Sequence, residues 1–397
     1  MGQNICILTG ELSGDAYGAM LAKELLRKAP DLDVWGIGSW RMHEAKVRLL
    51  AESSRWAAIG VVQSLRVAPR LAFGVLPRLR REIRRRAPAL LIPIDFGAFN
   101  VPVCRWAKQH GVPVLYYLPP GSWRREGPLP TRIAEVTDAV ATQFPWSAER
   151  LRRAGARAYF VGHPLLDLIG PQPSRKEFLQ TLSLPSDTEL VALLPGSRPA
   201  ELSANSPALA HAAIQIHAAR PQTRFVIAIA HQSSVERIGR AMRRLLSLRD
   251  SVGQPVAQIV WGKTHAVMVH ASVGIVCSGT ATLEAAILGM PMVIIYRGTP
   301  LMYVEYLLRR MSRLRWIGLP NIIAGEDIVP ELVAEAATAH NMAHHALELL
   351  SDQQKRARMK NALGALRAEL GEPGATRRTA DLALEMLGYP PTGKSQV

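Results

Sequence analysis

The sequence predicts an α/β protein made of two doubly wound, Rossmann-like domains facing each other across a cleft. Short apolar runs alternate with helical stretches from one end to the other, which is how parallel sheets covered by helices read. The runs form two series, separated by Gly170-Pro171-Gln172-Pro173-Ser174, a Pro/Gly-rich stretch of the kind that joins domains. At 397 residues the chain is also too long for one ordinary domain and suits two of roughly 150–200 residues.

The first strand is placed at 5–9, where Ile5-Cys6-Ile7-Leu8 runs unbroken. No basic region precedes it, and the polar Glu11 follows too soon for a signal peptide. Further strands are expected at 34–37, 89–94, 112–117, 139–142 and 159–161, each a short apolar run bounded by turn-forming or charged residues. They fill a first domain over 1–168, with a hinge near 165–175. A second domain over 169–340 takes the runs 190–194, 224–228, 257–260, 273–277 and 291–296. From 337 onward Ala, Leu, Glu and Arg recur at helical spacing, so 341–388 reads as terminal helices packing across the domains.

Composition narrows the function. Apolar residues make up 48% and charged residues 20%, as in folded soluble proteins. The three cysteines, Cys6, Cys104 and Cys277, lie in apolar runs with no CxxC pair, which argues against a disulfide framework or a zinc site and fits a reducing cytosol. No window approaches the roughly 20 apolar residues of a membrane-spanning helix. A formal charge of +16 calls for an anionic partner: nucleic acid, phospholipid or a phosphorylated substrate.

The most informative segment is Val276-Cys277-Ser278-Gly279-Thr280-Ala281-Thr282-Leu283-Glu284. It reads as a buried strand, a small-residue turn and a helix start. Ser278, Gly279 and Thr280 would present N–H groups and hydroxyls at the positive end of a helix, where a phosphate is well placed. Glu284, one turn in, could accept bonds from a ribose diol, so the segment could hold a nucleoside diphosphate. A capped helix after a core strand is the plain alternative.

Other candidates also follow predicted strands, where open α/β sheets bind ligands. Gly196 turns the chain after 190–194 and is followed by Ser197 and Arg198, whose guanidinium could neutralise a departing diphosphate. Glu201 reads as a first-turn helix acid. Gly10-Glu11-Leu12-Ser13-Gly14-Asp15 lacks GxGxxG and carries two acids, so it reads as a tight turn beside a sugar rather than a phosphate loop. Asp95 ends the strand Leu90-Leu91-Ile92-Pro93-Ile94 and could be a general base, with structural capping as the alternative. Asn100 would orient a neighbour or bind a sugar hydroxyl. His163 could bind substrate or be a satisfied structural histidine.

Between Arg66 and Arg86 stand eight arginines and one acid, interleaved with apolar residues. This suits an anionic bilayer surface, with Leu71, Phe73, Val75, Leu76 and Leu79 inserted and guanidiniums at headgroup level. Without a recognition-helix motif or an aromatic stacking platform, nucleic acid is not the expected partner. A solvated basic helix is the bland reading.

Taken together, these motifs resemble the lipid-A-disaccharide synthase family along almost the whole chain. The resemblance rests on Gly10-Glu11-Leu12-Ser13-Gly14-Asp15, Ala58-Ile59-Gly60-Val61-Val62, Ile94-Asp95-Phe96-Gly97-Ala98-Phe99-Asn100 and Phe160-Val161-Gly162-His163-Pro164 with Asp167. It continues through Leu193-Leu194-Pro195-Gly196-Ser197-Arg198 with Glu201, Ser278-Gly279-Thr280-Ala281-Thr282-Leu283-Glu284 and Leu319-Pro320-Asn321-Ile322-Ile323-Ala324-Gly325. It implies a GT-B glycosyltransferase that condenses UDP-2,3-diacylglucosamine with 2,3-diacylglucosamine 1-phosphate by inversion, with no metal and no cofactor.

On this resemblance Asp95 is the base and Arg198 stabilises the leaving group. Gly196, Ser197, Ser278, Gly279, Thr280 and Glu284 bind the nucleotide; Glu11, Ser13, Asn100, His163 and Asn321 bind substrate. The protein would work in the cytoplasm, peripheral on the inner face of the bacterial inner membrane, with a homo-oligomer possible and no nucleic-acid partner.

The chain departs from the family pattern at three places. Ala98 replaces a second acid, Gln63 stands where an acid is common, and Pro119-Pro120-Gly121-Ser122-Trp123-Arg124-Arg125 loses an aromatic on the acceptor side. Other readings are a relative using another lipid acceptor, a UDP-sugar epimerase or hydrolase, and a non-catalytic membrane-binding protein.

Overall fold

The computed structural model describes residues 3–53, 70–229, 238–297 and 315–390. The chain divides into two compact units, Met1–Leu168 with Glu369–Val397, and Ile169–Ala368.

In the first unit β1 (Asn4–Thr9), β2 (Asp33–Gly38), β3 (Arg48–Glu52), β4 (Leu90–Ile94), β5 (Leu115–Tyr117), β6 (Ala139–Thr142) and β7 (Ala158–Phe160) form one sheet in the order β3-β2-β1-β4-β5-β6-β7. Every pairing is parallel. All five residues of β4 are buried, and so are all but the first of β1. A parallel sheet covered on both faces demands such unbroken apolar runs.

In the second unit β8 (Leu190–Leu194), β9 (Arg224–Ile229), β10 (Ala257–Trp261), β11 (Val273–Cys277), β12 (Met292–Tyr296) and β13 (Glu331–Val333) run parallel in the order β10-β9-β8-β11-β12-β13. Both sheets are doubly wound and carry an interior switch point, between β1 and β4 in one and β8 and β11 in the other. Chain direction diverges there, and the carboxyl ends of the two central strands open a crevice suited to ligands.

Two strands escaped the sequence pattern. Arg48-Leu49-Leu50-Ala51-Glu52 is an edge strand with charged ends, and β13 is only three residues long. The tail is shared between the units. The helix Ala339–Ser351 and most of Gln353–Glu369 belong to the second, whereas Ala375–Met386 belongs to the first. In the first unit the Asp167 carboxylate accepts from the N–H groups of Gly374 and Thr376, Arg378 Nε donates to the Val161 carbonyl at 2.8 Å, and Lys28 pairs with Asp381.

Among the described residues no helix is long and apolar enough to cross a membrane. Of the basic segment, Ala58 through Val62, Gln63 and Arg66 lie outside the described residues. Arg70–Val75 forms a π-helical turn leading into the helix Leu76–Arg86. Leu79 does not face outward as expected. With Ile83, one turn on, it is buried in the core beneath β1 and β4, and Leu71, Val75 and Leu76, also expected to insert, pack half-buried against that core. Phe73 is 84% exposed. Arg80 and Arg84 lie over the Trp106 ring, which anchors the inner side of the basic face.

Candidate active site

At the first switch point Thr9 of β1 pairs with Ile94 of β4, so the loops that leave them emerge side by side. Asp95 and Phe96 both take the left-handed conformation, with φ of 47° and 46°. For non-glycine residues this costs roughly 1–3 kcal/mol each, so surrounding contacts must impose it. The Asp95 carbonyl accepts from the Tyr116 hydroxyl at 2.7 Å and the Asn100 amide at 2.8 Å, and Asn100 also donates to the Ile94 carbonyl. Gly10 lies against the Phe96 ring. A Cβ at position 10 would stand 2.1 Å from it, so only glycine fits.

The turn presents the Asp95 side chain to solvent, yet crowds it with protein. Desolvation, and then the negative charge of Glu11, push its carboxyl up to about 6, while the Phe96 N–H works the other way. Such a carboxyl is ionised near neutrality but still basic enough to accept a proton. Ala98 stands exposed in the first turn of the helix Gly97–Gln109, so the acidic neighbour of Asp95 is Glu11 on the β1 loop.

Glu11 sits at the N-cap position of the helix Leu12–Lys28, and Ser13 lies in its first turn. Asp15, in the same motif, is structural. Its buried carboxylate accepts from the N–H groups of Ser39, Arg41 and Met42, and so ties this helix to the start of the next, Trp40–Glu44.

At the second switch point β8 and β11 lie side by side, Leu194 against Val276. Gly196, with φ of 111°, turns the chain so that Glu201 can fold back. The Glu201 carboxylate accepts from the Ser197 and Arg198 N–H groups at 3.0 and 3.2 Å and from Arg198 Nη1 at 2.8 Å. The Ser197 N–H is therefore taken, while Ser197 itself remains exposed. Arg198 is aimed by its ion pair while its side chain stays 34% exposed. Buried Asn205 donates to the Pro195 carbonyl and Cys277 Sγ, joining the ends of β8 and β11.

After β11, Gly279 caps the helix Thr280–Ile287 with φ of 150°. The Ser278 N–H, expected at the open helix start, is taken by the Ile295 carbonyl at 2.8 Å and the Thr282 N–H by that of Gly279 at 3.1 Å. The donors left to the site are therefore those around Gly279 and the half-exposed Thr280. The Ser278 hydroxyl donates to the Ile317 carbonyl. Glu284 lies one turn in, its Oε2 3.4 Å from Nε2 of His265, a residue the sequence pattern did not single out.

Three expected substrate residues have other work. Asn100 is fully buried and holds the Asp95 turn. His163 is buried, its Nδ1 accepts from the Leu165 N–H, and desolvation lowers its pKa to about 3, so it is a neutral structural ring. The Asn321 amide is saturated: Nδ2 donates to the Val329 carbonyl and Glu331, and Oδ1 accepts from the Ile328 and Val329 N–H groups. Each lies in a family motif, and in each the buried amide or ring fixes a neighbouring segment.

Comparison with known proteins bears on the fold and the family. Solved structures with the same fold include UDP-GlcNAc 2-epimerase from Neisseria meningitidis bound to UDP-GlcNAc, with a TM-score of 0.63 and 12% identity over 97% of this chain and 100% of that one. They also include the calicheamicin glycosyltransferase CalG4, with a TM-score of 0.61 and 14% identity over 98% of each chain. The fold is thus GT-B, which transferases and epimerases share. Sequence is more specific. Lipid-A-disaccharide synthase of Geobacter sulfurreducens is 37% identical over 389 residues, 97% of each chain, and that of Syntrophus aciditrophicus is 34% identical over 386 residues, 96% of this chain and 97% of its own. The family profile for lipid-A-disaccharide synthetase matches residues 5–386, and the chain belongs to that family.

Proposed function

We infer that Asp95 and Arg198 are the two catalytic side chains of an inverting hexosyltransferase that makes the lipid A disaccharide. The chain is a glycosyltransferase with a UDP-sugar donor and a lipid acceptor. Its donor is UDP-2,3-diacylglucosamine and its acceptor 2,3-diacylglucosamine 1-phosphate. Asp95 takes the proton from the acceptor 6-hydroxyl as that oxygen attacks the anomeric carbon. The bond from this carbon to the UDP oxygen breaks, and its electron pair leaves with the diphosphate. Arg198 and the helix start at Gly279 and Thr280, held in place by Ser278, stabilise that charge, with the Gly196 turn and Ser197 hydroxyl beside them, while Glu284 holds the ribose.

The observation that carries this division of labour is placement: Asp95 at one switch point, Arg198 and Ser278 at the other. Glu11 and Ser13 remain acceptor-side candidates on the β1 loop. The test is direct. Purified protein incubated in detergent with both substrates is expected to release UDP and yield the disaccharide, read by mass spectrometry. UDP-sugar conversion without acceptor would instead mark an epimerase or hydrolase.

The basic segment docks the enzyme on the inner membrane, where both acylated substrates reside. Phe73 supplies an apolar tip, and Arg78, Arg81, Arg84 and Arg85 give the helix an exposed cationic face. Phe73→Asp is expected to weaken co-sedimentation with phosphatidylglycerol vesicles severalfold without changing Tm. Unchanged sedimentation would remove this role.

A further inference from the structure

The loop that follows β5 encloses a cavity of about 150 Å³, whose walls include Pro119, Pro120, Ser122, Arg124, Ser147 and Arg150. Its position is set by the sheet. β4 and β5 are parallel neighbours, Ile94 against Tyr117, so this loop and the Asp95 turn leave adjacent strand ends. They touch as well. A Cβ on Gly97 would lie 2.5 Å from the Pro120 ring, so the cavity wall backs directly onto the turn that holds Asp95.

The chemistry of the lining is one-sided. Arg124 and Arg150 carry positive charge, and no acid lines the cavity. Arg150 is a structural clamp: its guanidinium donates to the carbonyls of Arg124, Gly127 and Pro128 and so fixes the loop. Arg124 is exposed at the rim, braced over the Trp123 ring. Two hydroxyls add to this charge. Ser122 is 6% exposed and Ser147 4%. Ser122 Oγ accepts from Gln143 Nε2 at 2.7 Å, and Ser147 Oγ accepts from the Thr142 hydroxyl at 2.9 Å. Each oxygen has thus accepted a bond, which leaves its own proton to donate to a ligand oxygen. One guanidinium and two hydroxyl donors with rigid proline walls make a preformed oxyanion receptor.

Size restricts the ligand. A water occupies about 30 Å³ of liquid, so the cavity holds the equivalent of about five waters. That is room for a phosphate with the first atoms of its ester, the rest of an acceptor lying outside, across the open side of the cavity. We propose that this cavity is the subsite for the phosphate monoester of the acceptor, with Arg124 as its charge partner and Ser122 and Ser147 as hydroxyl donors. The proposal rests on the reading of the first unit as the acceptor side.

The test titrates the full-length protein with water-soluble glucosamine 1-phosphate, glucosamine and inorganic phosphate by ligand-observed NMR, comparing wild type with Arg124→Ala and Arg124→Lys. Saturable binding of the phosphate ester, ~10-fold weaker in Arg124→Ala and partly restored in Arg124→Lys, is expected, with glucosamine bound weakly by all three. Equal binding to wild type and Arg124→Ala, or none to wild type, overturns the subsite. Inorganic phosphate binding as tightly as the ester would mark a free-phosphate site and overturn the acceptor assignment.

Steady-state assays separate this from the activity itself. Arg124→Ala should raise KM for the phosphorylated acceptor about tenfold, leave that for a dephosphorylated acceptor unchanged, and spare the donor KM. Turnover that ignores Arg124 leaves the transferase standing and removes the subsite. Arg124-dependent binding without turnover by wild type does the reverse.

Discussion

Asp95→Asn is expected to lower kcat by roughly 100- to 10,000-fold, the usual worth of a general base, while the protein stays folded. Asparagine is among the few residues that tolerate the left-handed conformation, so the turn at φ 47° survives the change. The direction of the pKa shift gives a second check. A carboxyl raised to about 6 in the folded protein favours folding when protonated, and that contribution is lost as pH rises through about 6. At pH 7 the substitution removes a desolvated charge, so Tm should not fall. A large drop in Tm would assign Asp95 to structure.

The same shift predicts the pH profile: kcat/KM for wild type should fall on the acid side with a midpoint near 6. Glu11→Gln removes a charge that helps to raise this carboxyl, so the acid limb should move to lower pH. A limb that stays in place would mean that another group is being titrated.

Arg198→Ala should cost roughly 100- to 1,000-fold in kcat, the scale seen when one donor to a developing oxyanion is lost. Because Arg198 also pairs with Glu201, the variant needs a partner measurement. Glu201→Gln retains an oxygen for the Ser197 and Arg198 N–H groups but gives up the ion pair, and it should lose far less activity. If both variants fall alike, turn geometry rather than cationic charge is what the site requires. Arg198→Lys should recover part of the rate, since an ammonium supplies charge without the planar fork.

The strands were readable because burial on both faces writes an apolar run directly into the sequence, as in Leu90-Leu91-Ile92-Pro93-Ile94. The candidate positions were readable because each apolar run stops at a turn that carries a polar side chain: Asp95, Arg198, Ser278. The partners of these residues were not. Tyr116 grips the Asp95 carbonyl from a neighbouring strand, Asn205 joins two turns from within a helix, and His265 meets Glu284 from another helix. Sequence separation hides such contacts, because side-chain hydrogen bonding depends on tertiary placement. Leu79 is a different case. Leu76, Leu79 and Ile83 share a face at helical spacing, so the periodicity itself could have assigned the inner side of that amphipathic helix to the core.

The helix Ala375–Met386 completes the unit that the first 168 residues begin. During synthesis the ribosome therefore releases all of Ile169–Ala368 before it delivers the residues that receive Asp167, Lys28 and Val161. The usual order, in which the leading domain folds first, is inverted. The second unit can reach its native state on a nascent chain whose first unit still waits for its last helix, and a translation stopped early would leave that leading half unfinished.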